Sequence, residues 1–139
     1  MDYRRFDDTC IVRLDRGEFV HPCLTALCEK EHILLGQISA IGAIDHAVIG
    51  VYDLEHGAYV QRTYDEFMEI SNLSGSVTEK DGKPYLHLHV TTCGQDLSVH
   101  AGHAIELRVG ATCELFLRVF DGRIERRPDP GTGLNLFGF

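Results

Sequence analysis

The chain has 139 residues, the usual size of one domain and enough for one real core. Hydrophobic residues make up 44% of it and charged residues 24%, a balance that excludes a disordered chain. Lys and Arg total 13 against 21 Asp and Glu, and the resulting charge of −8 repels phosphate backbones and favours cations, metals or basic partners.

No run of about 18 apolar residues occurs, so no transmembrane helix is expected. The stretch from Met1 to Asp8 lacks the apolar core of a signal peptide. Five scattered cysteines, Cys10, Cys23, Cys28, Cys93 and Cys113, contain no CxxC pair. A cytoplasmic protein with reduced thiols follows, each cysteine serving as a small buried apolar residue. The expectation is one domain over 1–139, with its core at about 9–128 and a tail at 129–139.

In chain order, Thr9 to Leu14 reads as a strand and Asp15-Arg16-Gly17 as its turn. From Glu18 to Glu31 the apolar residues Phe19, Val20, Cys23, Leu24, Leu27 and Cys28 fall at helical spacing. Pro22 is tolerable there only in the first turn, and Asp15 or Glu18 near the start suits the helix dipole. The glycine-dotted run Ile33 to Ile44 is followed by a strand over Ala47 to Tyr52. His56-Gly57 turns into Ala58 to Tyr64. Further strands are predicted at Met68 to Thr78 and Tyr85 to Thr91, joined through Asp81-Gly82, a strong hairpin signal. The β pattern continues over Leu97 to Ala101 and Glu106 to Phe120. The segment from Arg126 reads as irregular and ends in Leu134, Leu136, Phe137 and Phe139, which need burial on the core or on another subunit. Many strands, one or two helices and no βαβ alternation predict an α+β fold with a mainly antiparallel sheet.

His87-Leu88-His89 lies inside a strand, where residues two apart share a face, about 7 Å apart by the strand rise. Two imidazoles placed this way can serve one metal, while Leu86, Leu88 and Val90 fill the other face. A third ligand would come from the next strand, where His100 and His103 are both available. A tight hairpin centred on Gly94-Gln95 would set His100 opposite His89. His103 reaches the same point only through a bulge or bend at Ala101-Gly102. Three neutral imidazoles with a free position form a catalytic-type zinc set. His21, His32, His46 and His56 stand alone near turns or helix ends and read as surface residues.

Glu69, Glu106, Arg108 and Glu114 are charged residues embedded in apolar strands. Glu69 shares parity with Phe67, Ser71 and Leu73, so it faces an interior, an interface or a rim. It is the candidate general acid or base. No Walker loop, GxSxG elbow or dinucleotide fingerprint appears.

The segments Gly17–Val20, Ile38–Ala43, Met68–Gly75, Asp81–His89 and Ala101–His103 occur in that order. Together they resemble the PPC (plants and prokaryotes conserved) domain in its free-standing prokaryotic form, over roughly 9–128. The resemblance implies an α+β fold with an antiparallel sheet, assembled as a homotrimer. Plant members carry AT-hook segments that grip DNA, and prokaryotic members are often labelled DNA-binding by analogy. This chain has no such hook; Arg126-Arg127-Pro128 is a faint echo. The prokaryotic HxH pair and later Gly-Gly-His map onto His87, His89 and His103, with Ala101 in place of the first glycine and His100 as an additional histidine. The fold also resembles that of acetolactate decarboxylase, in which such histidines hold zinc; at fold level this speaks for a metal more than for a reaction. The implied function is a metal-binding homotrimer in a regulatory or DNA-associated role, with a small-molecule ligand. A zinc-dependent lyase or hydrolase using Glu69 is the alternative.

Overall fold

Strand alternation builds most of the molecule, and a computed structural model describes residues 1–139. In β2 (Thr9–Asp15) the inward Cys10, Val12 and Leu14 are buried, while Ile11, Arg13 and Asp15 face out. Gly17, with φ +87°, turns the chain into α1 (Val20–Lys30), which buries Val20, Leu24, Leu27 and Cys28. Pro22 sits in the first turn of this helix, where its missing N–H costs nothing. No acidic residue occupies that turn. Glu18 instead binds the Met1 ammonium and accepts from the Asp15 N–H. No helix is long and apolar enough to cross a membrane.

The remaining strands are β1 (Asp2–Phe6), β3 (Gly36–Asp53), β4 (Ala58–Tyr64), β5 (Met68–Lys80), β6 (Lys83–Gly94), β7 (Val99–Val119), β8 (Arg126–Pro128) and β9 (Asn135–Phe137). All strand-to-strand ladders are antiparallel, so the fold is α+β as expected. The main sheet runs β1-β2-β7-β6-β5-β3-β4, and β7 also pairs with β3. That extra pairing closes β3, β5, β6 and β7 into a ring. Closure depends on two long strands that change their outer neighbour midway. β3 leaves β5 after Ile44 and takes up β4 at Ala47, and β7 leaves β6 after His103 and takes up β2 at Thr112.

Several boundaries differ from the sequence expectation. From Gly36 on, the run ending at Ile44 and the run Ala47 to Tyr52 belong to one strand, and Val99 to Ala101 joins Glu106 to Val119 in another. Bulges between Gly42 and His46 let β3 bend without breaking. The segment from Arg126 is not wholly irregular, since β8 and β9 pair there. All five cysteines are free thiols. Burial pushes the Cys28 thiol up to about 12 and that of Cys113 to about 11, which keeps both protonated and inert.

Candidate metal centre

On β6 the core face carries Leu88 and Val90, both buried, so His87 and His89 project from the opposite face. Across the ladder His87 stands opposite Ser76 and His89 opposite Ser74. Between those serines lies Gly75, where a Cβ would fall 1.9 Å from the His87 carbonyl oxygen. Only glycine lets β5 approach β6 that closely.

The third imidazole is set by the loop between β6 and β7. A tight turn on Gly94-Gln95 is not what forms. The Leu97 N–H donates to the Gly94 carbonyl and the Gly94 N–H to the Ser98 carbonyl, both at 2.9 Å, with Leu97 at φ +65°. This wider loop pairs Cys93 with Val99 and Thr92 with His100, so His103 rather than His100 stands opposite His89. No bulge at Ala101-Gly102 is needed, because the register from Cys93 back to His89 is regular. The irregularity falls on the other side of β7, at Ile105, against β3. Gly102 has a different use: a Cβ there would meet the Gly50 carbonyl oxygen at 2.6 Å, so its bareness admits β3. His100 has the opposite parity and stacks on Tyr64, with ring centroids 4.2 Å apart.

His87, His89 and His103 thus converge. Their ligand nitrogens all lie within 4.8 Å of one another. Ring centroids are 5.2 Å apart for His87–His89, 5.2 Å for His87–His103 and 5.5 Å for His89–His103. Tyr59 of β4 stacks on His103 at 4.9 Å. Burial pushes the His103 imidazole down to about 4, with a further contribution from His87 and His89. Burial lowers His87 too, followed by the charges of Arg126 and His89. Both rings are therefore neutral near pH 7, the form that binds a metal. His103 Nδ1 is buried with no hydrogen-bond partner, an orphaned ring nitrogen. Neutral donors and an unsatisfied ring nitrogen fit a divalent ion of the zinc class.

The other candidates lie elsewhere. Glu69 pairs with Ala43 and Cys93 and is exposed. It lies five positions along β5 from Ser74, the neighbour of His89, about 16 Å by the strand rise. Within one chain Glu69 is not brought to the histidines; it lines a shallow hollow with Ile41, Ser71, Thr112 and Glu114. Glu106 contacts His46 Nε2 at 3.0 Å, and Arg108 donates to Asp45 at 2.7 Å. His46, read as a surface residue, is held between Asp65 and Glu106. His21 is not a free surface residue either, since its Nδ1 is buried without a partner. A surface hollow lined by Tyr3, Phe6, Ile11 and Phe116 lies where β1 and β2 meet the C-terminal half of β7, thirteen positions along that strand from His103.

A family model of the Plants and Prokaryotes Conserved (PCC) domain matches residues 1–121. A Bacteroides thetaiotaomicron protein named provisionally for DNA binding is 33% identical, with a TM-score of 0.96 over 99% of this chain and 96% of that one. A metal-containing protein from Archaeoglobus fulgidus is 37% identical, with a TM-score of 0.90 over 99% of this chain and 97% of that one. At the level of fold alone, α-acetolactate decarboxylase from Bacillus subtilis strain 168 is similar, at 14% identity and a TM-score of 0.56 over 88% of this chain and 57% of that one. No curated protein matches the chain.

Proposed function

The chain belongs to the Plants and Prokaryotes Conserved domain family, and we propose that it works as a cytoplasmic homotrimer holding one zinc-like divalent ion on His87, His89 and His103. The observation that carries this reading is the convergence of three imidazoles within 4.8 Å. Neutral imidazole suits zinc, copper, nickel and iron alike, so availability selects the ion. The Archaeoglobus relative, named as metal-containing, supports it. When bound, such an ion supplies a Lewis-acid centre with a coordination position left over for water or a ligand.

Metal analysis of protein purified without chelators tests the site. About one ion per chain is expected, lost in His87→Ala and in His103→Ala and retained in His100→Ala. Retention in His103→Ala with loss in His100→Ala would show the third ligand to be misassigned. Full retention in both His87→Ala and His89→Ala would sink the site.

A second reading, a zinc-dependent lyase or hydrolase acting on a small molecule, is favoured by the three-nitrogen donor set, which is that of catalytic rather than structural zinc. Glu69 enters this reading as acid or base where assembly carries it to a neighbouring subunit's histidines. Abolished turnover with intact zinc in Glu69→Gln is the outcome expected of it. A DNA-associated role, after the name of the Bacteroides relative, would be exercised through a basic partner, because the chain carries −8.

A further inference from the structure

Arg126 is a buried cation without a carboxylate. It is 7% exposed, and the ion pairs of the chain engage Arg5, Arg13, Arg108, Arg118, Arg123 and Arg127 but not this residue. Its partners are all neutral: Nε donates to Thr78 Oγ1 at 3.0 Å, Nη1 to the Asn135 carbonyl oxygen at 2.9 Å and Nη2 to Ser76 Oγ at 3.3 Å. Tyr85 and Phe137 lie against the guanidinium, with centroids at 5.2 and 4.4 Å. A guanidinium has five N–H donors, so one remains on each terminal nitrogen after these three bonds. Proteins seldom bury a full charge among neutral groups, because the desolvation cost is then unmatched by an opposite charge.

Its position says where the opposite charge belongs. Ser76 stands opposite His87 and Thr78 opposite Tyr85 in the β5–β6 ladder. Directly opposed residues point to the same face, with Cβ atoms about 5 Å apart. Two of the three hydrogen bonds that fix Arg126 therefore anchor it on the sheet face that carries the three imidazoles, beside His87.

We propose that Arg126 and the three-histidine cluster form one site for a small oxoanion, a carboxylate or a phosphate. The residual fork on Nη1 and Nη2 grips two oxygens, the recognition for which guanidinium is suited and ammonium is not. The remainder of the anion extends toward the imidazoles; this second contact rests on the metal reading above, whereas the Arg126 contact does not. The local field is positive, yet the chain as a whole carries −8. Extended polyanions are repelled at long range while a small anion is not excluded, which points to a metabolite-sized ligand rather than a nucleic-acid backbone.

Full-length protein is titrated with malonate and, separately, with inorganic phosphate by calorimetry, while the Arg126 Nε–Hε resonance is followed by ¹⁵N NMR. Each titration is run on zinc-bound and zinc-free protein. At least one probe is expected to bind and to shift that resonance, with phosphate alone indicating a phosphoryl ligand and malonate alone a carboxylate. Arg126→Lys, which keeps the charge and the buried stem, is expected to weaken binding at least tenfold at unchanged zinc content. Arg126→Met is expected to abolish it. Should the Met variant fail to fold, the Lys variant and the wild-type resonance decide. Binding by zinc-free protein with the same Arg126 response supports the anion site even where the metal site fails. Absence of binding by either probe, a stationary Arg126 resonance, or equal affinity in Arg126→Lys overturns it.

Discussion

Histidines in this protein divide by environment, and the division sets their response to pH. His103 and His87 are driven toward the neutral form, chiefly by burial. His46 is driven the other way, first by its hydrogen bond to Asp65 and then by Glu106, against some desolvation. The unfolded reference is about 6.5. For His103, about 4 when folded, the unfolded chain binds the proton more readily. Its stability contribution is then complete above pH ~6.5 and is lost as pH falls toward 4. For His46 the contribution is complete below pH ~6.5 and fades as pH rises through its elevated folded value. Imidazole NMR titration of zinc-free protein should find His46 titrating above, and His87 and His103 below, the ordinary range; the reverse order would contradict these environments. Because protons compete with metal for ring nitrogens, depressed values should let zinc persist below pH ~6, where ordinary imidazoles release it. Zinc per chain after equilibration across the acid range checks this.

The unit that presents the site is the β5–β6–β7 run, and its geometry depends on close strand approach. Gly75→Ala would place a methyl 1.9 Å from the His87 carbonyl oxygen, within a ladder that cannot yield locally. Overpacking of this kind costs about 2 kcal/mol or more, and because the displaced strand carries two proposed ligands, zinc affinity should fall with stability. Leu88→Ala offers the contrast. It empties fully buried space beneath the same strand, costs about 3 kcal/mol, and should leave zinc stoichiometry intact in the folded fraction. Denaturant unfolding combined with zinc titration separates the two outcomes. Alternation, the Asp81-Gly82 turn and the helix over Val20–Lys30 were legible from spacing alone, since each depends on neighbours within a few residues. The loop after Cys93 was not. Leu97 takes a left-handed conformation that its residue type does not announce, and that conformation shifts the pairing of β7.

For the whole molecule, the surface that remains apolar bears on assembly. Ile41 is 60% exposed and Phe116 55% exposed, and Ile11 pairs with Phe116 on the same outer face. β1 and β4 are free edges of the main sheet, and on the β3–β4 hairpin the exposed Val51 and Val60 pair directly. A ring of three copies would cover such faces and edges. Sedimentation equilibrium at micromolar concentration should give a species of three chains, and Phe116→Glu should shift it toward the 15.6 kDa monomer. Only monomer in the wild type would end the trimer reading. At −8 per chain, no sub-micromolar, sequence-specific binding to naked duplex is expected at ~0.15 M salt, as a gel shift can check.

The amino-acid sequence by itself determined the α+β class, the helix, the HxH pair on one strand face and the acidic surface. Each of these is a property of composition or of a period of two or 3.6 residues, carried by every short segment independently. The tertiary structure decided what depends on distant segments meeting. It merged the broken runs into β3 and β7, and it brought His103 to His89 while turning His100 to the other face. It left Glu69 at an exposed rim of the same strand that serves the histidines. It also buried Arg126 against Ser76, Thr78 and Asn135, partners up to 50 residues away. Register and burial are set by loop conformation and by the closure of the sheet, and neither is written in the spacing of side chains along one strand.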